Sequence, residues 1–281
     1  MRAYSLIRKD PFYRHEAFLK GLAAAGYEVH DRAPDRARPG DVLVIWNRYS
    51  SVEQIADRFE AEGGTVLVAE NGFLSRGGGT PKFDVHEGVR PDSYYSLAIG
   101  GYNGSGRWVI GGRERFDALE IDLKPWHAPG GHLLICPNRG FGSRVMCPPQ
   151  HWGARKAEQW RSYAGEVRVR EHPGNNRPGR QLHEDLVGCS AISIWASSAG
   201  VHALVAGVPV YCDAQKWVCK SATVEQVGCL PHENEAAWNK ARLDAMVGLS
   251  WHQWTVSEVM SGEPFHHMLR RKTEKEVATS P

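Results

Sequence analysis

The sequence predicts an α/β fold in two domains, each built on a parallel β-sheet that helices cover on both faces. Strand and helix patterns alternate along most of the 281 residues. The strand patterns are continuous runs of valine, leucine and isoleucine, which are typical of strands buried on both faces. A stretch rich in glycine and proline, 123–131, interrupts the alternation and predicts domains over residues 1–125 and 126–281.

In the first domain the patterns predict four strands and two helices. The strands are expected at 3–7, 27–30, 41–46 and 65–69, and the helices at 15–26 and 50–62. Apolar spacing supports the first helix, and Gly26 is a typical residue at which a helix stops. From 71 to about 129 glycine-rich segments replace the alternation, so loops are predicted there.

In the second domain the patterns predict four strands, three intervening helices and a helical tail. The strands are expected at 132–136, 166–170, 191–195 and 208–212, and the helices at 153–163, 181–187 and 199–206. Tail helices are expected at 236–249, 254–260 and 264–271, with Trp251 and Trp254 docking the tail onto the protein body. Two domains joined by a loop-rich linker predict a ligand-binding cleft between them.

The composition excludes several classes of protein. Hydrophobic residues make up 42% and charged residues 23%, which are ordinary globular values and exclude a disordered protein. No apolar run approaches the ~18 residues that a membrane span needs, and the first residues carry no signal-peptide core. We therefore expect a cytoplasmic protein without a membrane partner. The six cysteines form no Cys-x-x-Cys pair, so no metal site is predicted.

Charge is concentrated in one part of the chain. The formal net charge is +2, yet residues 139–180 contain nine basic and three acidic side chains, a local net charge of +6. Such an excess suits a polyanionic or phosphorylated ligand, and it is equally compatible with a solvated helix face.

Three loops of the second domain follow predicted strands and carry groups that bind phosphate. Ser197, Ser198 and Gly200 lie where a strand turns into a helix, and free backbone N–H groups and the helix dipole favour an anion there. An ordinary N-cap serine is the alternative. His172 follows the strand at 166–170, where a turn histidine is the alternative.

The third of these loops, 136–144, combines glycines with two arginines. Gly140 permits a close backbone approach, and Arg139 and Arg144 can chelate phosphate oxygens. Because all three loops leave the same edge of a parallel sheet, we expect them to hold one phosphorylated ligand together.

Glu70 ends the strand predicted at 65–69, and its carboxylate is expected to face the cleft. Partial desolvation would raise its pKa, which suits a general base; a loop cap is the alternative. Asp84 and Asp92 are competing candidates for the base. Tyr95, Asn103 and Arg107 belong to an aromatic, glycine-rich stretch that can stack on a base or a sugar, or that is a packed surface loop.

These motifs resemble a known family. The second half resembles GT-B glycosyltransferases, in which two Rossmann-like domains face each other across a cleft and the C-terminal one holds a nucleotide sugar. Residues 70–76, ENGFLSR, resemble the Glu-Asp-Gly-Phe-[Ile/Leu]-Arg-Ser signature of capsule polysaccharide Kdo-type transferases. His172-Pro173 and residues 197–209 match later segments of that group. Asn71 stands in place of its aspartate, and Ser75-Arg76 inverts its Arg-Ser order.

The whole chain also resembles bacteriophage-encoded glycosyltransferase-like proteins, in the segments 95–108, 136–142 and 251–265. This resemblance implies transfer of glucose from UDP-glucose to a hydroxymethylated pyrimidine in phage DNA, such as hydroxymethylcytosine. The phosphate-binding residues would hold the donor, and Glu70 would be the catalytic base. The acceptor would contact Asn71, Arg76, Tyr95, Asn103 and Arg107. With no Asp-x-Asp motif, no essential metal is expected.

Three other functions remain open at this point. A transferase that builds a cell-surface or capsular glycan would use a similar donor. A sugar-nucleotide epimerase shares the two-lobed fold and would turn over a donor without an acceptor. A non-catalytic DNA-binding protein would bind duplex DNA and leave the donor intact.

Overall fold

The computed structural model contains two β-sheets that are joined by buried polar contacts. It describes residues 1–9, 12–79, 94–128, 130–138, 146–163, 165–172, 181–224 and 234–269. Within these residues one sheet has six strands and the other has four.

The larger sheet is formed by the first half of the chain and one strand from near its end. Its strands are β1 (Arg2–Ser5), β2 (Glu28–His30), β3 (Val42–Trp46), β4 (Thr65–Asn71), β5 (Tyr94–Ile99) and β10 (Gln253–Thr255), in the order β10-β5-β4-β3-β1-β2. The four strands β1 to β4 are parallel, whereas β5 is antiparallel to β4 and β10 is antiparallel to β5. Helices α1 (Phe12–Ala24), α2 (Ser50–Ala61) and α3 (Glu114–Ala118) accompany them.

The smaller sheet is parallel throughout, as the continuous apolar runs predict. Its strands are β6 (His132–Cys136), β7 (Val167–Val169), β8 (Cys189–Ile194) and β9 (Val210–Cys212), in the order β7-β6-β8-β9. The remaining helices are α4 (Trp152–Arg161), α5 (Leu182–Leu186), α6 (Ala199–Val205), α7 (Glu235–Ser250), α8 (Val256–Ser261) and α9 (Glu263–Leu269).

Each sheet has apolar layers on both faces. On the larger sheet Phe18 of α1 packs with Tyr95 and Phe265, while Phe59 of α2 packs on the opposite face. On the smaller sheet one face is covered by a cluster around Trp160 and the other by a cluster that includes α6 and α7. Burial on both faces explains why these strands lack an alternating polar pattern.

Two sequence predictions about the fold need correction. Loops were predicted from 71 onwards, yet residues 94–99 form β5, which lies between β10 and β4 in the larger sheet. The tail was assigned to the second domain, yet β10 pairs with β5 and α8 packs against α1, so the tail completes the larger sheet. The predicted docking role of Trp251 and Trp254 is confirmed, since they are 8% and 0% exposed.

The predicted linker lies against the smaller sheet's helices. The N–H of Lys124 donates to the carbonyl of Val205 at 3.0 Å, and that of His127 donates to Gly207 at 2.7 Å. Arg242 of α7 is buried and donates from Nη1 to the Lys124 carbonyl at 2.8 Å. Burial lowers the pKa of this guanidinium. The linker is therefore part of the packed structure.

A buried amide joins the two halves of the chain directly. Asn103 follows β5 and is 4% exposed, and its Nδ2 donates to the carbonyl of Ala196 at 3.0 Å. Its Oδ1 accepts the backbone N–H groups of Gly104 and Val218, each at 2.8 Å. Asn103 has a φ of 54°, a left-handed value that asparagine tolerates better than most residues. This side chain fixes the turn after β5 against the turn after β8.

No helix among the residues that the structure describes is both long and apolar enough to cross a membrane.

Replacing Asn103 by glycine is expected to lower the free energy of unfolding by about 2–3 kcal/mol. Glycine tolerates the left-handed backbone, so the loss comes from the buried Ala196 carbonyl and Val218 N–H, which lose their partners. Urea denaturation followed by circular dichroism measures the change. His151→Gly is the matched control, because His151 is exposed and also left-handed, with a φ of 58°. Equal effects of the two substitutions would contradict the buried-amide explanation.

Candidate functional site

A cleft of about 630 Å³ lies at the carboxyl edge of the smaller sheet. Its walls come from both halves of the chain. From the second half they include Cys136, Pro137, Arg170, His172, Gln181, His183, Ser197, Ser198 and His202, and from the first half Gly77, Gly78, Gly79, Glu120, Asp122 and Lys124.

The parallel sheet explains why these residues meet. Strands β6, β7 and β8 run in the same direction, so the segments that follow them leave from one edge. Two of the three predicted phosphate-binding loops reach the cleft, through His172 and through the pair Ser197 and Ser198. Arg139, Gly140 and Arg144 lie outside the described residues, and their predicted role stays a prediction.

Ser197 and Ser198 differ in exposure and in hydrogen bonding. Ser197 is half-buried, and its Oγ accepts the N–H of Ala199 at 3.2 Å, which is a local turn contact. The N-cap residue of α6 is Ser198, whose side chain makes no capping hydrogen bond. Ser198 is exposed at the cleft wall. Since α6 has seven residues, its dipole is small, and side chains must supply most of the attraction for an anion.

Gly200 serves packing, which corrects the prediction that it contacts a ligand. It is buried, and a Cβ atom there would lie 2.6 Å from Ile194 Cδ1 and 2.8 Å from Trp217 Cζ2. A glycine is needed because α6 lies directly against these two side chains.

The opposite wall is a glycine segment, 77–79. Gly77 and Gly78 have φ values of 74° and 82°, and a Cβ on Gly78 would lie 3.1 Å from Val205 Cγ1 of α6. The N–H of Gly77 donates to the Leu119 carbonyl at 2.7 Å, which fixes the segment to residues just before the linker. Left-handed glycines therefore let the first half approach α6 closely.

His202 is a cleft residue that the sequence analysis missed. It lies four residues after Ser198 on α6, so the two side chains share one helix face. Its ring hydrogen-bonds to the backbone of Gly78, and burial lowers the pKa of the imidazole to about 4. The ring is therefore neutral near pH 7. The four-residue spacing between Ser198 and His202 in a predicted helix could have identified His202 from the sequence.

The cations of the described cleft have carboxylate partners. Arg170 forms an ion pair with Asp185, and Lys124 forms one with Asp122. Arg170 follows β7 and was not among the predicted site residues. An anion that enters this cleft meets guanidinium and ammonium groups that acidic side chains already hold in place.

Glu70 lies at the carboxyl end of β4, outside the lining of this cleft. One of its oxygens, Oε1, accepts the N–H of Asn71 at 2.8 Å, and the side chain of Asn47 also hydrogen-bonds to the carboxylate. Burial raises the pKa of Glu70, although these hydrogen bonds and the charge of Arg14 oppose the shift. The expectation that Glu70 faces the cleft does not agree with the cleft lining, and its role as a base stays a prediction.

Tyr102 is a neighbour of Glu70 that the sequence analysis did not single out as a site residue. Burial raises its pKa to about 12, and the negative charge of Glu70 contributes to the rise. Tyr102 packs against apolar clusters of both sheets. It therefore places a phenol near Glu70 at the junction of the two halves.

Two predicted acceptor-binding residues are structural instead. Tyr95 is 0% exposed, and its ring contacts those of Phe18 and Trp46 in the core of the larger sheet. Asn103 is the buried amide that joins the two halves, as described above. Both residues were predicted either to contact a ligand or to lie in a packed surface loop. Tyr95 lies in β5 and Asn103 in the turn after it, and contacts distant in sequence bury both.

The other three predicted acceptor-binding residues are exposed. Asn71 ends β4 beside Glu70, Arg76 forms an ion pair with Glu120, and Arg107 pairs through its backbone with Ile99. Asn71 therefore lies next to the carboxylate, while Arg76 begins the glycine segment at the cleft.

Most of the cations that the structure describes in the basic segment 139–180 form ion pairs. Four of its five described cations form ion pairs: Lys156 with Asp213, Arg161 with Glu158, Arg168 with Glu166 and Arg170 with Asp185. Two of these carboxylates, Asp213 and Asp185, come from outside the segment. The local charge in the sequence therefore does not correspond to an open positive surface on the described residues.

Within the described ranges no group of three or more histidine, cysteine, aspartate or glutamate side chains could hold a metal ion.

The comparisons with known proteins concern the fold. No family model matches the chain, and no curated protein matches it in sequence. The solved β-Kdo 2,7 transferase of Thermosulfurimonas dismutans KpsC aligns with a TM-score of 0.55 and 10% identity, over 94% of this chain and 99% of that one. The β-Kdo 2,4 transferase of the same KpsC aligns with a TM-score of 0.49 and 15% identity, over 75% and 79%. The alignment with the β-Kdo 2,7 transferase shows that the chain shares the α/β fold of that protein.

Proposed function

We propose that this protein is a glycosyltransferase that moves a sugar from a nucleotide-sugar donor to a hydroxyl acceptor. One observation carries the proposal. A cleft of about 630 Å³ lies at the carboxyl edge of a parallel sheet, in a fold that aligns over 94% of the chain with a β-Kdo 2,7 transferase. Ligands of open α/β sheets bind at that edge, and the volume suits a nucleotide-sized ligand.

The donor is proposed to bind in the cleft through its phosphate. Arg170, His172 and Ser198 would contact the phosphate oxygens, with Arg170 held in place by Asp185. Arg139, Gly140 and Arg144, which follow β6 in the sequence, are proposed to complete this site. The chain would then be a GT-B enzyme with domains over 1–125 and 126–281, except that the tail returns to the first domain.

Glu70 is proposed as the general base, with the acceptor bound beside Asn71. As the acceptor oxygen bonds to the sugar carbon, the bond from that carbon to the phosphate oxygen breaks, and the hydroxyl proton passes to Glu70. Direct displacement of this kind inverts the sugar carbon. The raised pKa of Glu70 makes it a stronger base than an ordinary carboxylate, and Arg170 and His172 would stabilise the charge of the leaving phosphate.

A glycan hydroxyl is the proposed acceptor, in preference to DNA. DNA binding relies on cations that contact successive phosphates. The described cations of segment 139–180 are mostly committed to ion pairs, so they offer DNA little. The aligned transferase of the KpsC protein is the further support for a glycan acceptor.

Replacing Glu70 by glutamine is expected to reduce transfer at least 10²-fold and to change donor affinity less than about twofold, because the base acts after the donor has bound. Activity of the native enzyme should fall as pH falls through the pKa of Glu70, which burial places above its usual value. Product formation by mass spectrometry and donor binding by calorimetry measure the two effects. Glu114→Gln, in an exposed position of α3, is the control. Parallel loss of binding and transfer would refute the base assignment.

Alanine at His172 or at Ser198 is expected to weaken nucleotide binding about fivefold to tenfold, since each removes one hydrogen bond to phosphate worth about 1–1.5 kcal/mol. Calorimetry with a panel of nucleoside mono- and diphosphates, UDP included, measures the change. Ser162→Ala is the control, because Ser162 is exposed and its hydroxyl donates to the nearby Gln159 carbonyl at 2.9 Å. Unchanged affinity in both cleft variants would place the donor elsewhere.

Incubation with a panel of nucleotide sugars that includes UDP-glucose is expected to transfer sugar to an oligosaccharide acceptor and to leave hydroxymethylcytosine DNA unmodified. The measurement is the mass increment on the acceptor, and on nucleosides after digestion of the DNA. A sugar on the nucleosides would overturn the glycan proposal in favour of DNA. Donor turnover with no acceptor present would indicate an epimerase instead.

A further inference from the structure

The residue after β3 lies beside Glu70. Strands β3 and β4 are parallel neighbours, with Trp46 opposite Ala69, so Asn47, the first residue after β3, lies next to Glu70 near the carboxyl end of β4. The backbone N–H of Asn47 donates to the carbonyl of Ala69 at 3.0 Å, which adds one more hydrogen bond to the pairing of β3 with β4. The sheet thus places Asn47 at the base of the Glu70 side chain.

Two hydrogen-bond donors act on the Glu70 carboxylate. The backbone N–H of Asn71 lies 2.8 Å from Oε1, and the side chain of Asn47 provides the second bond. A carboxylate held from its own strand and from the neighbouring strand has a defined orientation. The titratable groups that face it are Arg14 of α1 and Tyr102 of the turn after β5.

The backbone of this connection is unusual. Asn47 has a φ of 62° and Ser50 a φ of 56°, two left-handed residues other than glycine within four positions. Arg48, between them, is anchored by the Gly100 carbonyl and by Asp57 and Glu60, so the connection is held on both sides. Strained backbone of this kind persists where surrounding contacts enforce it, and it is concentrated at functional sites.

We propose that Asn47 is a positioning residue for Glu70, whose side-chain amide holds the carboxylate in the orientation that receives the acceptor's proton. This inference rests on the proposed role of Glu70 as the base. Asparagine suits the position because it tolerates the left-handed backbone and still presents an N–H donor. Neither the predicted signature at 70–76 nor the cleft lining includes it.

The test uses the full chain and a measurement that needs no reaction. Asn47→Gly keeps the left-handed backbone and removes the amide, and Ser50→Gly is the matched control in the same connection. A donor to a carboxylate stabilises its charged form and lowers its pKa, so removal of the amide should raise the pKa of Glu70 by about one unit. Carbon-13 NMR of the labelled glutamate carboxyls measures the pKa, with Glu70→Gln to assign the signal.

The expected change in the pH dependence of the reaction follows from the raised pKa of Glu70. In Asn47→Gly the acidic limb of the pH–rate profile should move up by about one unit. At a pH well below the pKa of Glu70, kcat should therefore fall about tenfold while the donor KM changes less than about twofold. Asn47→Asp, which adds a like charge beside Glu70, should raise the pKa further. Ser50→Gly should leave the pKa, the profile and kcat unchanged. Circular dichroism of each variant verifies that it is folded.

Three outcomes decide the proposal. A raised pKa with a shifted pH profile supports it. An unchanged Glu70 pKa in folded Asn47→Gly and Asn47→Asp overturns it, whatever the enzyme's activity. A raised pKa in an enzyme whose Glu70→Gln variant still transfers sugar shows that the hydrogen bond exists but that Glu70 is not the base; it overturns both the catalytic part of this inference and the proposed base.

Discussion

The arrangement of the site depends on one buried side chain, Asn103. Its amide bonds to backbone groups of Ala196 and Val218, so the turn after β5 and the turn after β8 are fixed against each other. The first turn carries Tyr102 beside Glu70, and the second carries Ser197 and Ser198 at the cleft. If the two halves shifted relative to each other, the buried amide would lose its hydrogen-bond partners. The free-energy cost of burying it without partners exceeds the net gain from the hydrogen bonds themselves, so one relative position of the halves is favoured. The distance between the proposed base and the proposed donor site follows from that relative position.

The electrostatics of the described cleft favour a small anion over an extended one. Arg170 and Lys124 are held by Asp185 and Asp122, and the neutral ring of His202 bonds to the glycine segment. A cation in an ion pair still attracts a phosphate at short range, because a guanidinium or ammonium group has more N–H donors than one carboxylate accepts. At longer distances the opposite charges of each pair cancel, so these pairs contribute little to the long-range attraction of an anionic ligand. This behaviour suits a nucleotide seated inside the cleft better than a nucleic acid lying across it.

Contacts that are local in sequence were predictable, and contacts between distant segments were not. The parallel strands and their helices could be read from apolar runs and helix stops, and Glu70, His172 and Ser198 could be placed at strand ends. Strand β5 was missed because its short apolar run lies between glycine-rich segments that predict loops; it pairs with β4 and, far along the chain, with β10, where Gln253 lies opposite Ser96. Tyr95 and Asn103 were misjudged because the segments that bury them come from elsewhere in the sequence. Gly200 was read as a ligand contact, although the crowding by Ile194 and Trp217 that requires it is visible only in three dimensions.

The amino-acid sequence by itself determined the fold class, the polarity of the parallel strands and therefore which residues reach the carboxyl edges, because hydrophobic periodicity and turn chemistry act over a few residues. The tertiary structure alone decided which edge residues share one cleft, that His202 bonds to Gly78 there, and that the tail belongs to the larger sheet. It also decided that Lys156 and Arg170 of the basic segment pair with Asp213 and Asp185. These features arise from pairings between residues remote in the chain, and burial and ion pairing exist only once the chain has folded.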